Sequence, residues 1–256
     1  MNRTLAPLLQ RMANSIPMLR IMRALDNRTD NRLSERGMIT QALEFTRLNG
    51  IQGDYFEFGL WRGRTFIHAY KMKKLLRINH MHHWGFDSFA GLPAFSPREG
   101  EIWKEGQFSC SEREFRSILS ANRIHPNEYT LVAGFYDQSL NLALHTRMTG
   151  RKAAIVYIDC DLYESTVPVL DFIKTYLQNG TVICFDDYYC YAASPDQGEQ
   201  LAISEFLAKH SDISLLHYLT YSPVGQSFIV RRRISEAALD SRRPRGSEQI
   251  SGDLVP

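Results

Sequence analysis

Asp159 and Asp161 close one apolar run, "AIVYIDCDLYE", and Asp186 and Asp187 close another, "GTVICFDDYY". Each run has the length of a buried strand, and the segment between them, "STVPVLDFIKTYLQN", reads as a helix. A strand, a helix and a returning strand in one sheet run parallel, so both acidic ends fall on the carboxyl edge, where open α/β sheets hold their ligands. Carboxylates a few ångströms apart cannot all stay ionised without a counter-charge, and ligation by carboxylate oxygen alone suits a hard cation, Mg²⁺ or Mn²⁺. Asp159 leaves the first strand and Asp186 and Asp187 leave the second, so three ligands can converge and leave positions open for substrate oxygens. A cation that holds an alcohol lowers its pKa and fixes its direction, which a displacement at carbon asks of its nucleophile. The plain alternative is capping and solvated strand ends. Asp161, just ahead of a helix expected near Glu164, is open to three roles: metal ligand, substrate contact or helix cap.

A second group of residues, in "YFEFGLWRGRT", sets Glu57, Gly59 and Gly63 where an earlier strand hands over to its helix. Glycines there let a ligand approach the backbone. The spacing is not that of the dinucleotide motif G-x-G-x-x-G, and a carboxylate in the turn repels a pyrophosphate while suiting the amino group or ribose of S-adenosylmethionine. About thirty residues on, Asp87 ends the next strand in "HWGFDSFAGLP", where a sheet-bound nucleoside keeps its ribose hydroxyls. Ser88 beside it and Phe135 in "VAGFYDQSL" join Glu57, Gly59, Gly63 and Asp87 as candidate cofactor contacts. The proton of an acceptor hydroxyl also needs a destination, and no histidine adjoins the cluster. Asp196 and Glu199, in "YAASPDQGEQ" after the second acidic strand end, are candidate bases, with capping of the next helix as the alternative.

Taken in order, "GDYFEFGLWRGRT", "HWGFDSFAGLP", "VAGFYDQSL", "YIDCDLYESTVPVL" and "GTVICFDDYY" resemble the macrocin O-methyltransferase family over about residues 36–231. The resemblance implies a class I methyltransferase that moves a methyl group from S-adenosylmethionine to a sugar or glycoside hydroxyl with the help of a divalent metal. It makes Asp159, Asp186 and Asp187 the metal ligands. Two other functions compete: a metal-dependent glycosyl- or phosphotransferase on a similar sheet, whose phosphates would turn to Arg62 and Arg64, and a non-catalytic module that only binds the donor.

The elements that must position these residues follow from the pattern of the whole chain. Residues 34–49 have a helical apolar spacing with Ser34 as cap, and strands then alternate with helices until "ISLLHYLTY" and "QSFIVRR", joined by a short turn. The expected fold is α/β: a Rossmann-like parallel sheet with helices on both faces, an antiparallel hairpin at one edge and an N-terminal helical cap. Residues 1–49 form the cap or lid, 50–233 the methyltransferase domain and 234–256 a disordered tail rich in charge, Ser, Gly and Pro. The opening 25 residues, with four arginines and no acid, are also compatible with a transit peptide or an interfacial helix.

A formal charge of +2 with 44% hydrophobic residues marks an ordinary globular chain and gives no reason to expect nucleic acid. No apolar run approaches the ~20 residues of a membrane span. The four cysteines lack metal-site spacing and read as reduced core thiols of a cytoplasmic protein, with Cys160 and Cys184 possible neighbours across adjacent strands. A homo-oligomer is compatible with this composition.

Overall fold

Strands β1 (Asp54–Phe58) and β4 (Ala153–Ile158) are buried at every residue, as expected of strands covered on both sides. In the computed structural model, which describes residues 33–96 and 102–233, they lie side by side at the centre of a seven-stranded sheet. β2 (His83–Asp87) and β3 (Tyr129–Ala133) extend the sheet in parallel on the β1 side. β5 (Val182–Phe185) continues it in parallel beside β4. The final hairpin, β6 (Ile213–Tyr221) and β7 (Gly225–Arg232), is antiparallel as expected, but its second strand sits inside, giving the order β3-β2-β1-β4-β5-β7-β6.

Side chains alternate across each strand, so the sheet has two cores. Phe56, Phe58, Val156, Ile158, Ile183 and Phe185 face one core. It is closed by α6 (Tyr163–Ile173) and α7 (Gly198–Lys209). Tyr55, Ile155, Tyr157, Val182 and Cys184 face the other, which is closed by α1 (Glu35–Leu48), α2 (Arg64–Leu75) and α3 (Glu112–Ala121). Two short helices, α4 (Tyr136–Ser139) and α5 (Leu142–Arg147), follow β3.

Ser34 caps α1 as its sequence suggests, its hydroxyl accepting from Gly37 N–H at 3.1 Å. The buried face of α1 is Met38, Ile39, Ala42, Leu43 and Thr46, while Leu48 is exposed. This helix is therefore part of the layer that covers the sheet, tied to β7 where Ser227 Oγ meets Met38 Sδ at 3.1 Å. The rest of the expected cap, residues 1–32, and the expected tail, 234–256, lie outside the described residues. All four cysteines are free, and Cys160 and Cys184 belong to opposite cores, so they are not neighbours across the strands. No described helix is long and apolar enough to cross a membrane.

Candidate active site

The carboxyl ends of β1, β2, β4 and β5 open into one cavity of about 680 Å³. Of the residues singled out by sequence, Gly59, Asp87, Ser88, Phe135, Asp159, Asp161, Asp186 and Asp187 line it. Glu57, Gly63 and Asp196 do not.

Glu57 belongs to the strand face turned into the core, where Tyr55 and Thr65 donate their hydroxyls to its carboxyl, Thr65 at 2.6 Å. It stands behind the cavity and holds Thr65, which does line it. Burial pushes its pKa up to about 8, opposed by those hydroxyl bonds. From about pH 4.5 to 8 the folded protein thus keeps a proton that the unfolded chain has lost, and its contribution to stability disappears as pH rises through 8. Glu57→Gln has no such proton. Urea unfolding should show wild type losing ground to this variant between pH 5 and 8.5, with a slope of up to about 1.4 kcal/mol per pH unit; a gap independent of pH would remove Glu57 as the cause.

Gly63 caps α2 with a left-handed backbone (φ 72°), and a Cβ there would sit 2.8 Å from Phe115 Cε2, so its small size serves packing rather than a ligand. Gly59 (φ 88°) does line the cavity, but a Cβ would fall 1.8 Å from the carbonyl oxygen of Asp159. What requires glycine there is the neighbouring strand end.

Asp87 accepts from the backbone N–H groups of Leu60 (2.6 Å), Trp61 (3.2 Å) and Phe89 (2.6 Å). Burial raises its pKa, and those three bonds pull it back. The carboxyl that faces the cavity therefore also fastens the β1 turn to the end of β2. Ser88 Oγ donates to Gly91 carbonyl at 2.8 Å and so shapes the turn beyond.

At the other end the fold draws together Asp159, Asp161 and Asp187, each offering a carboxylate oxygen within 4.8 Å of the others. Asp161 reaches this group because its backbone is left-handed (φ 61°), which turns the chain back after Cys160. Asp186 lines the same cavity with its Oδ1 held by Tyr157 Oη at 2.5 Å, because alternation carries it toward the face of Cys184. The expected trio of Asp159, Asp186 and Asp187 thus has Asp161 in place of Asp186 among the converging oxygens.

Burial raises the pKa of Asp159 well above the carboxylate range, and the charges of Asp186, Asp187 and Asp161 add to it. Burial and the charge of Asp187 do the same for Asp161. Asp187 Oδ2 is buried with no hydrogen-bond partner, although Cys190 Sγ donates to its Oδ1 at 3.3 Å. Hard oxygen donors, crowded, buried and in part unpartnered, fit a divalent cation.

Asp196 is exposed, its N–H turned to Ser194 Oγ at 3.4 Å. Glu199, three residues on in the first turn of α7, is the acid the fold buries instead: its Oε2 accepts from Asp187 N–H at 3.1 Å and its Oε1 has no partner. It supports Asp187 from behind. Sequence reasoning missed Trp61, Trp103 and Phe108, which line the cavity as an aromatic wall with Phe108 packed edge-on against both tryptophans, at ring-centroid distances of 5.6 and 6.1 Å. Their only signal is the presence of large aromatics in an otherwise polar loop and turn.

A parallel sheet with this strand order, an inserted antiparallel strand and cavity-lining acids at the ends of β2, β4 and β5 defines the class I methyltransferase fold. Solved structures agree: the O-methyltransferase NovP superposes with a TM-score of 0.62 at 23% identity, covering 77% of this chain and 79% of its own. The calicheamicin methyltransferase CalS11 gives 0.62 at 22% identity, over 87% of this chain and 90% of its own. Residues 30–211 match the family model described as macrocin-O-methyltransferase (TylF), and the chain belongs to that family.

Among relatives, 156 residues are 27% identical to the 8-demethyl-8-(2,3-dimethoxy-alpha-L-rhamnosyl)-tetracenomycin-C 4'-O-methyltransferase of Streptomyces olivaceus, covering 57% of each chain. Another 26% match, over 181 residues, is to the demethyldecarbamoylnovobiocin O-methyltransferase of Streptomyces niveus, covering 67% of this chain and 64% of that enzyme. The chain thus spans less than two thirds of the length of either relative.

Proposed function

We propose that this protein transfers a methyl group from S-adenosylmethionine to a hydroxyl of a sugar or glycoside, assisted by a divalent metal. The observation that carries this reading is a single cavity with a nucleoside-type acid, Asp87, at one end and a carboxylate cluster at the other, in a member of a family of O-methyltransferases. Asp87 and the Gly59 turn hold the donor, with Ser88 and Phe135 beside them. The acceptor oxygen must line up behind the methyl carbon, opposite the sulfur; the oxygen–carbon bond forms as the carbon–sulfur bond breaks, and the hydroxyl proton leaves.

Asp159 and Asp187, common to the sequence expectation and to the converging trio, would hold the metal together with Asp161, with Asp186 beside them in the same lining; the metal would supply charge neutralisation and a lowered hydroxyl pKa. A carboxylate of this lining would take up the hydroxyl proton. The charged residues of the lining are acids except for Arg64, its one basic side chain among the described residues. Arg64 is paired with Glu35 at 3.3 Å and Arg62 with Glu114 at 3.2 Å, so among the described residues neither arginine of this turn stands as an unpaired phosphate clamp. This favours the sulfonium donor over the phosphotransferase or glycosyltransferase alternative.

The test is transfer of tritiated methyl from S-adenosylmethionine to a panel of phenyl glycosides, beginning with phenyl α-L-rhamnoside, together with calorimetry of S-adenosylhomocysteine and of a nucleotide diphosphate. Asp87→Asn should weaken S-adenosylhomocysteine by roughly 10- to 100-fold, the loss of a hydrogen bond to a charged group. Nucleotide diphosphate bound in place of S-adenosylhomocysteine would overturn the reading. Donor binding without transfer to any acceptor would leave only the binding module.

A further inference from the structure

Beside the carboxylate cluster lies a hydrogen-bond chain that the methyl-transfer reading does not use. Trp103 Nε1 lies 2.9 Å from Tyr191 Oη, and Tyr191 Oη lies 3.0 Å from the backbone carbonyl of Asp161. An indole can only donate and a phenol has one hydrogen, so the direction is fixed: Trp103 donates to Tyr191, and Tyr191 donates to Asp161. The receiving residue is the aspartate whose left-handed backbone (φ 61°) lets its carboxyl turn back to Asp159 and Asp187.

The donor is itself held in an unusual conformation. Tyr191, Ala192 and Ala193 are consecutively left-handed (φ 58°, 54° and 58°), a state that side-chain-bearing residues keep only when their surroundings impose it. The imposing contacts are present: the ring is buried, and it lies over Gly198, where a Cβ would fall 2.5 Å from Tyr191 Cε2. At the far end of the chain, Trp103 belongs to the aromatic wall with Phe108 and Trp61, the last of which is half exposed at the cavity.

We infer that Tyr191 is a positioning residue for the transfer: it holds the Asp161 backbone in the conformation that aims its carboxyl and, through Trp103, links that aim to the seating of an acceptor against the aromatic wall. This rests on the proposed methyl transfer, with Asp161 as a member of the carboxylate group that faces the acceptor. It differs from a general packing role, because the ring of Tyr191 does the packing and the hydroxyl alone makes both hydrogen bonds.

Tyr191→Phe keeps the ring and removes the hydroxyl. With phenyl α-L-rhamnoside, or whichever phenyl glycoside the wild type methylates, kcat should fall on the order of 10- to 100-fold, the scale of a small misplacement of a reacting group. The dissociation constant of S-adenosylhomocysteine should stay within about twofold, since Asp87 and Gly59 are untouched. Trp103→Phe should lower kcat in the wild type and add little in the Tyr191→Phe background, because the link is already cut. Independently of any acceptor, the indole N–H resonance of Trp103, assigned by its loss in Trp103→Phe, should shift upfield in Tyr191→Phe.

Wild-type kcat in Tyr191→Phe, a parallel loss of kcat and donor affinity, additive effects of the two substitutions, or an unshifted indole resonance would each overturn the inference. A wild-type protein that methylates no acceptor fails earlier and removes the methyl-transfer reading itself, and the inference with it.

Discussion

Asp187→Asn is expected to reduce methyl transfer on the order of 10²- to 10³-fold while leaving S-adenosylhomocysteine binding within about twofold of wild type. The amide has the shape of the carboxylate, one charge fewer and an N–H₂ where a carboxylate oxygen stood. The lost oxygen matters because Asp187 Oδ2 is buried without a partner and belongs to the group that converges with Asp159 and Asp161. The end of the cavity proposed to hold the donor, around Asp87 and Gly59, is built on other strands and should not sense the change. Excess chelator should reproduce the activity loss in the wild type, and Mg²⁺ or Mn²⁺ should restore it.

The same substitution is expected to raise the unfolding midpoint measured in chelator, because it removes one of several buried carboxyls that repel one another. Protons would compete with the proposed cation for these groups, and burial with the charge of Asp187 pushes Asp186 up to about 7, so Mg²⁺ affinity should climb as pH rises through that value. Full activity in chelator, with a normal Asp187→Asn enzyme, would reduce the cluster to structural acids.

Gly59→Ala is expected to destabilise the protein by about 3 kcal/mol or more, or to prevent folding. The new Cβ would meet a backbone carbonyl at 1.8 Å, that of Asp159, and a backbone cannot swing aside as a side chain can. At that point β1 and β4 are locked by Asp159 N–H donating to Phe58 carbonyl at 2.8 Å, so relief of the clash parts the two central strands just below the site. Left-handed strain adds to this, since Gly59 has φ 88°. Gly150 provides the control: it is also left-handed (φ 79°), but nothing lies within 4 Å of its Cβ position, so Gly150→Ala should cost only about 1 kcal/mol. The two values come from urea unfolding, with S-adenosylhomocysteine affinity measured on whatever Gly59→Ala protein folds. Equal costs at the two positions would mean that strain, and not the strand contact, explains Gly59.

The strand-helix alternation, the antiparallel final hairpin, the Ser34 cap and the two acidic strand ends were all legible in the sequence, because each is a local pattern: an apolar period, a capping side chain, or a charge where an apolar run stops. The position of β7 between β5 and β6 was not, since a hairpin carries no mark of which strand turns inward.

Within the site the same division holds. Asp87, Gly59, Ser88, Phe135 and the aspartates of the cluster reach the cavity because strand ends and the turns after them must open at the carboxyl edge. The face each acid takes is another matter, because neighbouring residues of a strand point to opposite sides. That alternation puts Glu57 into the core beneath Thr65 and Asp186 against Tyr157, and a left-handed residue at Asp161 brings its carboxyl into the converging group.

Asp196 and Glu199 are both acids in one polar stretch, and only the docking of α7 leaves the first in solvent and buries the second behind Asp187. Tyr191 and Trp103 lie 88 residues apart and share no pattern; their hydrogen bond exists only because the loop after β2 and the turn after β5 fold over the same carboxyl edge. Residue types and periodicity are local properties and sufficed to place the chemistry at that edge, whereas the direction, burial and partner of each side chain depend on segments distant in sequence and were settled by packing.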